Sequence, residues 1–109
     1  EHLEHVTGRQ LQCLHVIGGG ARNRLLCQHT ADVLARPVLA GPVEASALGN
    51  VLMQARAAGL FGSTEETRTA VLATVTPERY EPNQSEHEHY RTTYQRFLEV
   101  TELAAPVAA

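Results

Sequence analysis

Leu14-His15-Val16-Ile17-Gly18-Gly19-Gly20-Ala21-Arg22-Asn23 is the stretch that decides how this chain folds. An apolar run over residues 11–17 stops abruptly at three consecutive glycines. Short runs of strand formers that end in a glycine turn read as buried strands. Beyond the glycines, Leu26, Thr30, Val33 and Leu34 fall on one helical stripe, with Arg22, Arg24 and Gln28 outside it. The spacing predicts a helix over residues 21–35. Arg36-Pro37 ends it, because the residue before a proline is pushed out of helical geometry. Val38-Leu39-Ala40 then reads as a second strand. Strand, glycine loop, helix, strand is a βαβ unit, with parallel strands and a right-handed crossover. The fold class is α/β.

Toward the N-terminus, residues 1–6 read as the last turns of a helix, with Gly8 as the left-handed residue after it. The chain opens on charged residues without a Met or a signal peptide, so it is expected to begin in mid-protein. Toward the C-terminus, Gly41-Pro42 turns into a small-residue helix over residues 43–58, with Glu44 in its first turn where the dipole favours an acid. Ser63 and Glu66 form a capping box that starts a helix reaching about residue 73. Residues 74–83, with Pro77 and Pro82, read as extended or looped. Ser85 and Glu88 form a second capping box, and the helix after it lines up Tyr90, Tyr94, Phe97 and Leu98. Residues 103–109 read as a frayed tail. There is no internal repeat and no linker that would split the chain.

Composition narrows the function. All nine basic residues are Arg. Without Lys, neither a Walker A loop nor a Schiff-base enzyme is possible within this chain. A net charge of −3 argues against a nucleic-acid surface. No apolar run approaches the length of a membrane span. Cys13 and Cys27 read as reduced core thiols of a cytoplasmic protein rather than as a disulfide framework. Six histidines invite a metal site. His2 with His5, and His87 with His89, lack a third ligand at sensible spacing, so no metal site is expected and both pairs read as solvated helix ends. His29 reads as a helix-surface or half-buried residue. Asp32, the sole aspartate, lies in mid-helix rather than at a cleft, and reads as a solvent or helix-contact residue. Ser46 and Ser63 lack the context of a nucleophile elbow. No catalytic residue is expected.

The glycine run is the sharpest functional signal. Glycines between a strand end and a helix start let a ligand approach backbone N–H groups. The spacing alone equally allows a plain tight turn. It is not a dinucleotide fingerprint, because Asn23 stands where the last glycine would be and no acid ends the second strand. Asn23 suits a helix cap, a ligand contact, or both.

Residues 14–32, followed by Pro37-Val38-Leu39-Ala40-Gly41-Pro42-Val43-Glu44-Ala45-Ser46-Ala47-Leu48-Gly49-Asn50, resemble the adenosine-side motif of the FGGY carbohydrate kinases. The pairing is most similar to the rhamnulokinase subfamily, as is Tyr80-Glu81-Pro82 before a last helix, with other pentulose and glycerol kinases behind. The resemblance covers nearly all of this chain but only about the last quarter of such a kinase. It implies part of an actin-like (ribonuclease H-like) domain, here a βαβ unit with additional C-terminal helices. Residues 1–109 would be the C-terminal part of the second kinase domain. It implies transfer of the ATP γ-phosphate to a sugar hydroxyl with Mg²⁺, the metal ligands lying mostly outside this chain. For the subfamily, the sugar is L-rhamnulose. Gly19 and Asn23 would touch the nucleotide, and Gly18 and Gly20 would shape the loop. The family's phosphate loop, sugar-binding residues and general-base Asp have no counterpart among these residues, so the chain alone is expected to be inactive. Its strand edge is expected to contact the remainder of a kinase chain or a second copy. Two other readings stay open: a stand-alone nucleotide-binding or interaction module of the same fold, and another actin-like ATPase.

Overall fold

Three short strands make one sheet in a computed structural model that describes residues 2–103. They are β1 (Leu14–Val16), β2 (Val38–Ala40) and β3 (Glu78–Tyr80), in the order β1-β2-β3. β1 and β2 run parallel, with Leu14 opposite Val38 and Val16 opposite Ala40. Helix α2 (Arg24–Leu34) joins them, so the βαβ unit is present. β1 is shorter than the apolar run predicts. The Leu14 N–H donates to the Pro37 carbonyl at 3.0 Å, and Pro37 has no N–H with which to carry the ladder further back.

The glycines do not open α2. They form a 3₁₀ turn, Gly18–Arg22, and α2 begins only at Arg24. Asn23 sets that boundary: its backbone is extended and its Oδ1 accepts from the Leu26 N–H at 3.0 Å. This is helix capping by a residue type suited to it. Ala35 closes α2 in the left-handed conformation. Helix α1 (His2–Thr7) ends as predicted, at Gly8 with φ +64°, whose N–H donates to the Glu4 carbonyl at 2.8 Å. The Glu4 carboxylate joins α1 to the end of α2, accepting from Arg36 at 2.6 Å and from the Leu11 N–H at 3.0 Å.

Helices α3 (Ala45–Ala57) and α4 (Thr64–Thr74) follow. Ser63 Oγ caps α4 through the Glu66 N–H at 3.1 Å, while Glu66 reaches back to the Gly62 N–H at 2.6 Å. The second predicted capping box does not form. Helix α5 (Gln84–Leu103) starts earlier, and Asn83 Oδ1 rather than Ser85 takes the capping role, accepting from the Ser85 N–H at 3.1 Å. Residues 104–109, most of the predicted frayed tail, lie outside the described residues.

β3 is the element that sequence pattern misses. Glu-Arg-Tyr is short, polar and flanked by prolines, yet it pairs antiparallel to β2, with Ala40 opposite Glu78 and Val38 opposite Tyr80. A small core lies between this sheet and α2: Ala21, Cys27, Ala31, Val38, Ala40 and Tyr80, with Val16 and Val43 against it. Val38 and Cys27 are fully enclosed. Burying a valine stabilises by about 2 kcal/mol, so so few large side chains give a thin core. The Tyr80 hydroxyl is buried without a hydrogen-bond partner among the described residues. Burial, and then the nearby Glu78 carboxylate, pushes its pKa above the ordinary tyrosine value.

Candidate functional site

Where β1 ends, Gly18 takes φ +76°, a conformation that side-chain-bearing residues rarely adopt. Its N–H donates to the Pro42 carbonyl at 3.0 Å. The Gly41 N–H donates in turn to the Val16 carbonyl at 2.8 Å. These two bonds sew the glycine loop to the turn that follows β2. Both loops therefore lie side by side at the C-terminal ends of parallel strands, the end at which open α/β sheets bind ligands.

The three glycines have different surroundings. A Cβ on Gly20 would rest 3.6 Å from Val16 Cγ1, an ordinary contact. One on Gly19 would meet nothing within 4 Å, and Gly19 is exposed. Gly18 sets the turn, and Gly20 abuts Val16 and, like Gly19, is exposed. Asn23 is exposed, with Oδ1 held by the Leu26 N–H. Among the described residues nothing accepts from its Nδ2, so one end of the amide serves the helix and the other is available.

Two ion pairs flank the loop. Arg22 lies 3.9 Å from Glu44, and Arg24 lies 2.9 Å from Glu78. Both pairs are largely exposed, and such pairs contribute at most about 1 kcal/mol. Glu78 is a residue that sequence reasoning missed; its partner is 54 positions away and no local signal could have found it.

Other candidates fall away from the loop. Asp32 is buried and not a solvent residue: its Oδ1 accepts from the Asn83 N–H and from Gln28 Nε2, each at 2.8 Å. His87 is not a solvated helix end either. Its Nδ1 lies 2.9 Å from the Asp32 carbonyl and 3.2 Å from that of Val33, so this nitrogen donates. His29 is exposed, bonded to the Tyr90 hydroxyl and edge-on to its ring. Among the described residues no three or more His, Cys, Asp or Glu side chains gather where a metal ion could be held. None of the described helices is long and apolar enough to cross a membrane.

The glycine loop is an open wall rather than a pocket. One hollow of about 240 Å³ lies beside His29, Thr30, Val33 and Leu34. Another of about 290 Å³ lies between Leu3, Leu11, Cys13, Leu14 and Leu34, at the opposite end of the strands. Neither touches the loop.

A family match spans residues 1–58, more than half of the chain, and therefore both loops: the FGGY family of carbohydrate kinases, C-terminal domain. The chain belongs to the FGGY family of carbohydrate kinases. That family places its fold among the actin-like, ribonuclease H-like kinases. Among curated members, the rhamnulokinase of Enterococcus faecalis is 42% identical over 105 residues, covering 94% of this chain and 21% of its own length. That of Bacteroides thetaiotaomicron is 42% identical over 82 residues, 75% of this chain and 17% of its own. That of an Enterobacter species is 36% identical over 107 residues, 96% of this chain and 22% of its own. The chain thus spans about a fifth of the length of the FGGY kinases it matches.

Proposed function

We propose that this chain is the nucleotide-side wall of an ATP-dependent sugar kinase, the C-terminal part of its second domain, acting on L-rhamnulose to give L-rhamnulose 1-phosphate. The observation that carries this is the pairing of the glycine loop with the Gly41-Pro42 turn through Gly18 and Gly41. The similarity to rhamnulokinases over nearly the whole chain supports the choice of sugar.

Open space over Gly19 leaves room for a nucleotide against the backbone. Asn23 Nδ2 would donate to it. Arg22 and Arg24 are paired with Glu44 and Glu78, so the loop is not a cationic phosphate cradle and suits the uncharged adenosine end. ATP, bound with Mg²⁺, supplies the phosphoryl group. This chain's residues bind and orient one end of it. Transfer needs nucleophile, metal and phosphates positioned together, and the residues of this chain make one wall of such a site. The remainder of the kinase supplies the rest, in a cytoplasmic enzyme. Sugar phosphorylation by the 109-residue chain alone would overturn that division of labour.

Calorimetric titration with ATP tests the loop. Gly19→Val adds a side chain into open space and is expected to weaken binding at least ~10-fold, about 1.4 kcal/mol, while the fold persists. Asn23→Ala is expected to weaken binding too, and also loses a helix cap worth about 1 kcal/mol. If wild type and both variants behave alike, the loop is not the site.

A further inference from the structure

Resting on that nucleotide-side assignment, we propose that residues 78–87 form a clasp that positions the glycine loop through α2, with Glu78 and Asp32 as its positioning residues. Its C-terminal segment, residues 78–87, lies beyond residues 1–58, where the match to the family's C-terminal domain falls, while its helix side, with Arg24, Gln28 and Asp32, lies within that match.

The spacing along α2 is the first observation. Arg24, Gln28 and Asp32 are four apart and line one face of the helix. Each bonds to a successive residue of the C-terminal segment. Arg24 Nη2 donates to Glu78 Oε1 at 2.9 Å, Gln28 Nε2 to the Glu81 carbonyl at 2.8 Å, and the Asn83 N–H to Asp32 Oδ1 at 2.8 Å. His87 closes the row on the last carbonyls of α2. Segment and helix therefore run side by side from the first turn of α2 to its end.

The second observation is where this row begins. Arg24 directly follows Asn23, whose N–H donates to the Gly20 carbonyl at 3.1 Å. Glu78 stands opposite Ala40, one residue before the turn that holds Gly18. Between them, Tyr80 packs into the core with Cys27, whose thiol lies 3.8 Å from the Gly20 carbonyl. A slip of α2 against this segment must therefore move the loop. The two ends of the clasp differ in kind: Asp32 is buried and anchors it, whereas Glu78 is half-exposed and trims the loop end. By linkage, a nucleotide that orders the loop also tightens the clasp.

The test uses the 109-residue chain. Amide hydrogen exchange at Gly18, Asn23 and Gly41, whose N–H groups hold the loop, is followed without nucleotide, beside ATP titration. Glu78→Gln is expected to speed exchange at these amides about twofold to fivefold and to weaken ATP by a similar factor, as loss of an exposed pair implies. The exchanged pair Arg24→Glu with Glu78→Arg is expected to restore both. Asp32→Asn keeps an Oδ1 acceptor and is expected to stay near wild type, whereas Asp32→Ala gives the largest change. Unchanged loop exchange in Glu78→Gln overturns the clasp, as does a double variant no better than the single one. Faster loop exchange with ATP bound equally by wild type and Gly19→Val upholds the clasp and sinks the nucleotide assignment.

Discussion

At Gly18 an added Cβ would come no closer than 3.9 Å to the nearest atom, the Val43 carbonyl oxygen, so space does not demand a glycine there. The backbone does, because φ is +76°. Gly18→Ala is therefore expected to cost about 1–2 kcal/mol of folding stability, the usual penalty of the left-handed region. Urea unfolding measures it, and a variant as stable as wild type would mean that the turn has another conformation open to it. From the residues alone the three glycines read alike; only the resemblance sets Gly19 apart from Gly18 and Gly20, and it does not separate Gly18 from Gly20. What separates them is the turn at Pro42 and the Val16 side chain, which only folding brings alongside. Asn23 was legible as a cap because its partner, Leu26, is three residues away. Asp32 was not, because its decisive partner is 51 residues away. Polar residues bonded at that distance leave no periodic trace, so a lone mid-helix acid reads equally as a solvent or a helix-contact residue, and folding decides for the contact.

Among the elements, the βαβ unit was legible because an apolar run, a glycine stop and a proline are each a local cause. The helical stripe was misread: Leu26, Val33 and Leu34 are exposed, and α2 buries Cys27, Ala31 and Asp32 instead. β3 was not, because its pairing comes from the free edge of β2 rather than from its own residues. The start of α5 was misplaced for a similar reason: two cap-forming residues, Asn83 and Ser85, stand close together, and Asp32 favours the first by taking the Asn83 N–H. Attachment of α1 to α2 makes a pH prediction. The hydrogen bond from Arg36, and then that from the Leu11 N–H, hold the Glu4 carboxyl below the ordinary carboxylate pKa. A lowered folded-state value means that this contribution is present above the usual carboxylate range and is lost as pH falls through the lowered value. Amides of α1 should therefore lose protection at acid pH before those of α2. Equal loss in both helices would show that Glu4 does not hold α1.

For the whole molecule, the outer edge of β1 has no partner strand among the described residues. Leu3, Leu11 and Leu14 are exposed beside it, around the hollow at that end of the sheet. Exposed strand edges flanked by apolar side chains pair with other chains. Sedimentation of the isolated chain at micromolar concentration is expected to show species heavier than its 11.9 kDa, and a single monomer species would count against that. The core is built from alanines, Val38 and Cys27 with one aromatic, Tyr80, and no leucine among its buried residues. Which edge stays open was not legible in the sequence, because strand order is a property of the assembled sheet.

Length, more than chemistry, is what α2 must keep. Its 11 residues act as a ruler between the loop at one end and Asn83 at the other. A single insertion or deletion within it would turn everything downstream by about 100° and unmake several of the four-spaced contacts together. Substitutions on its outer face should drift freely through descent, while its residue count stays fixed.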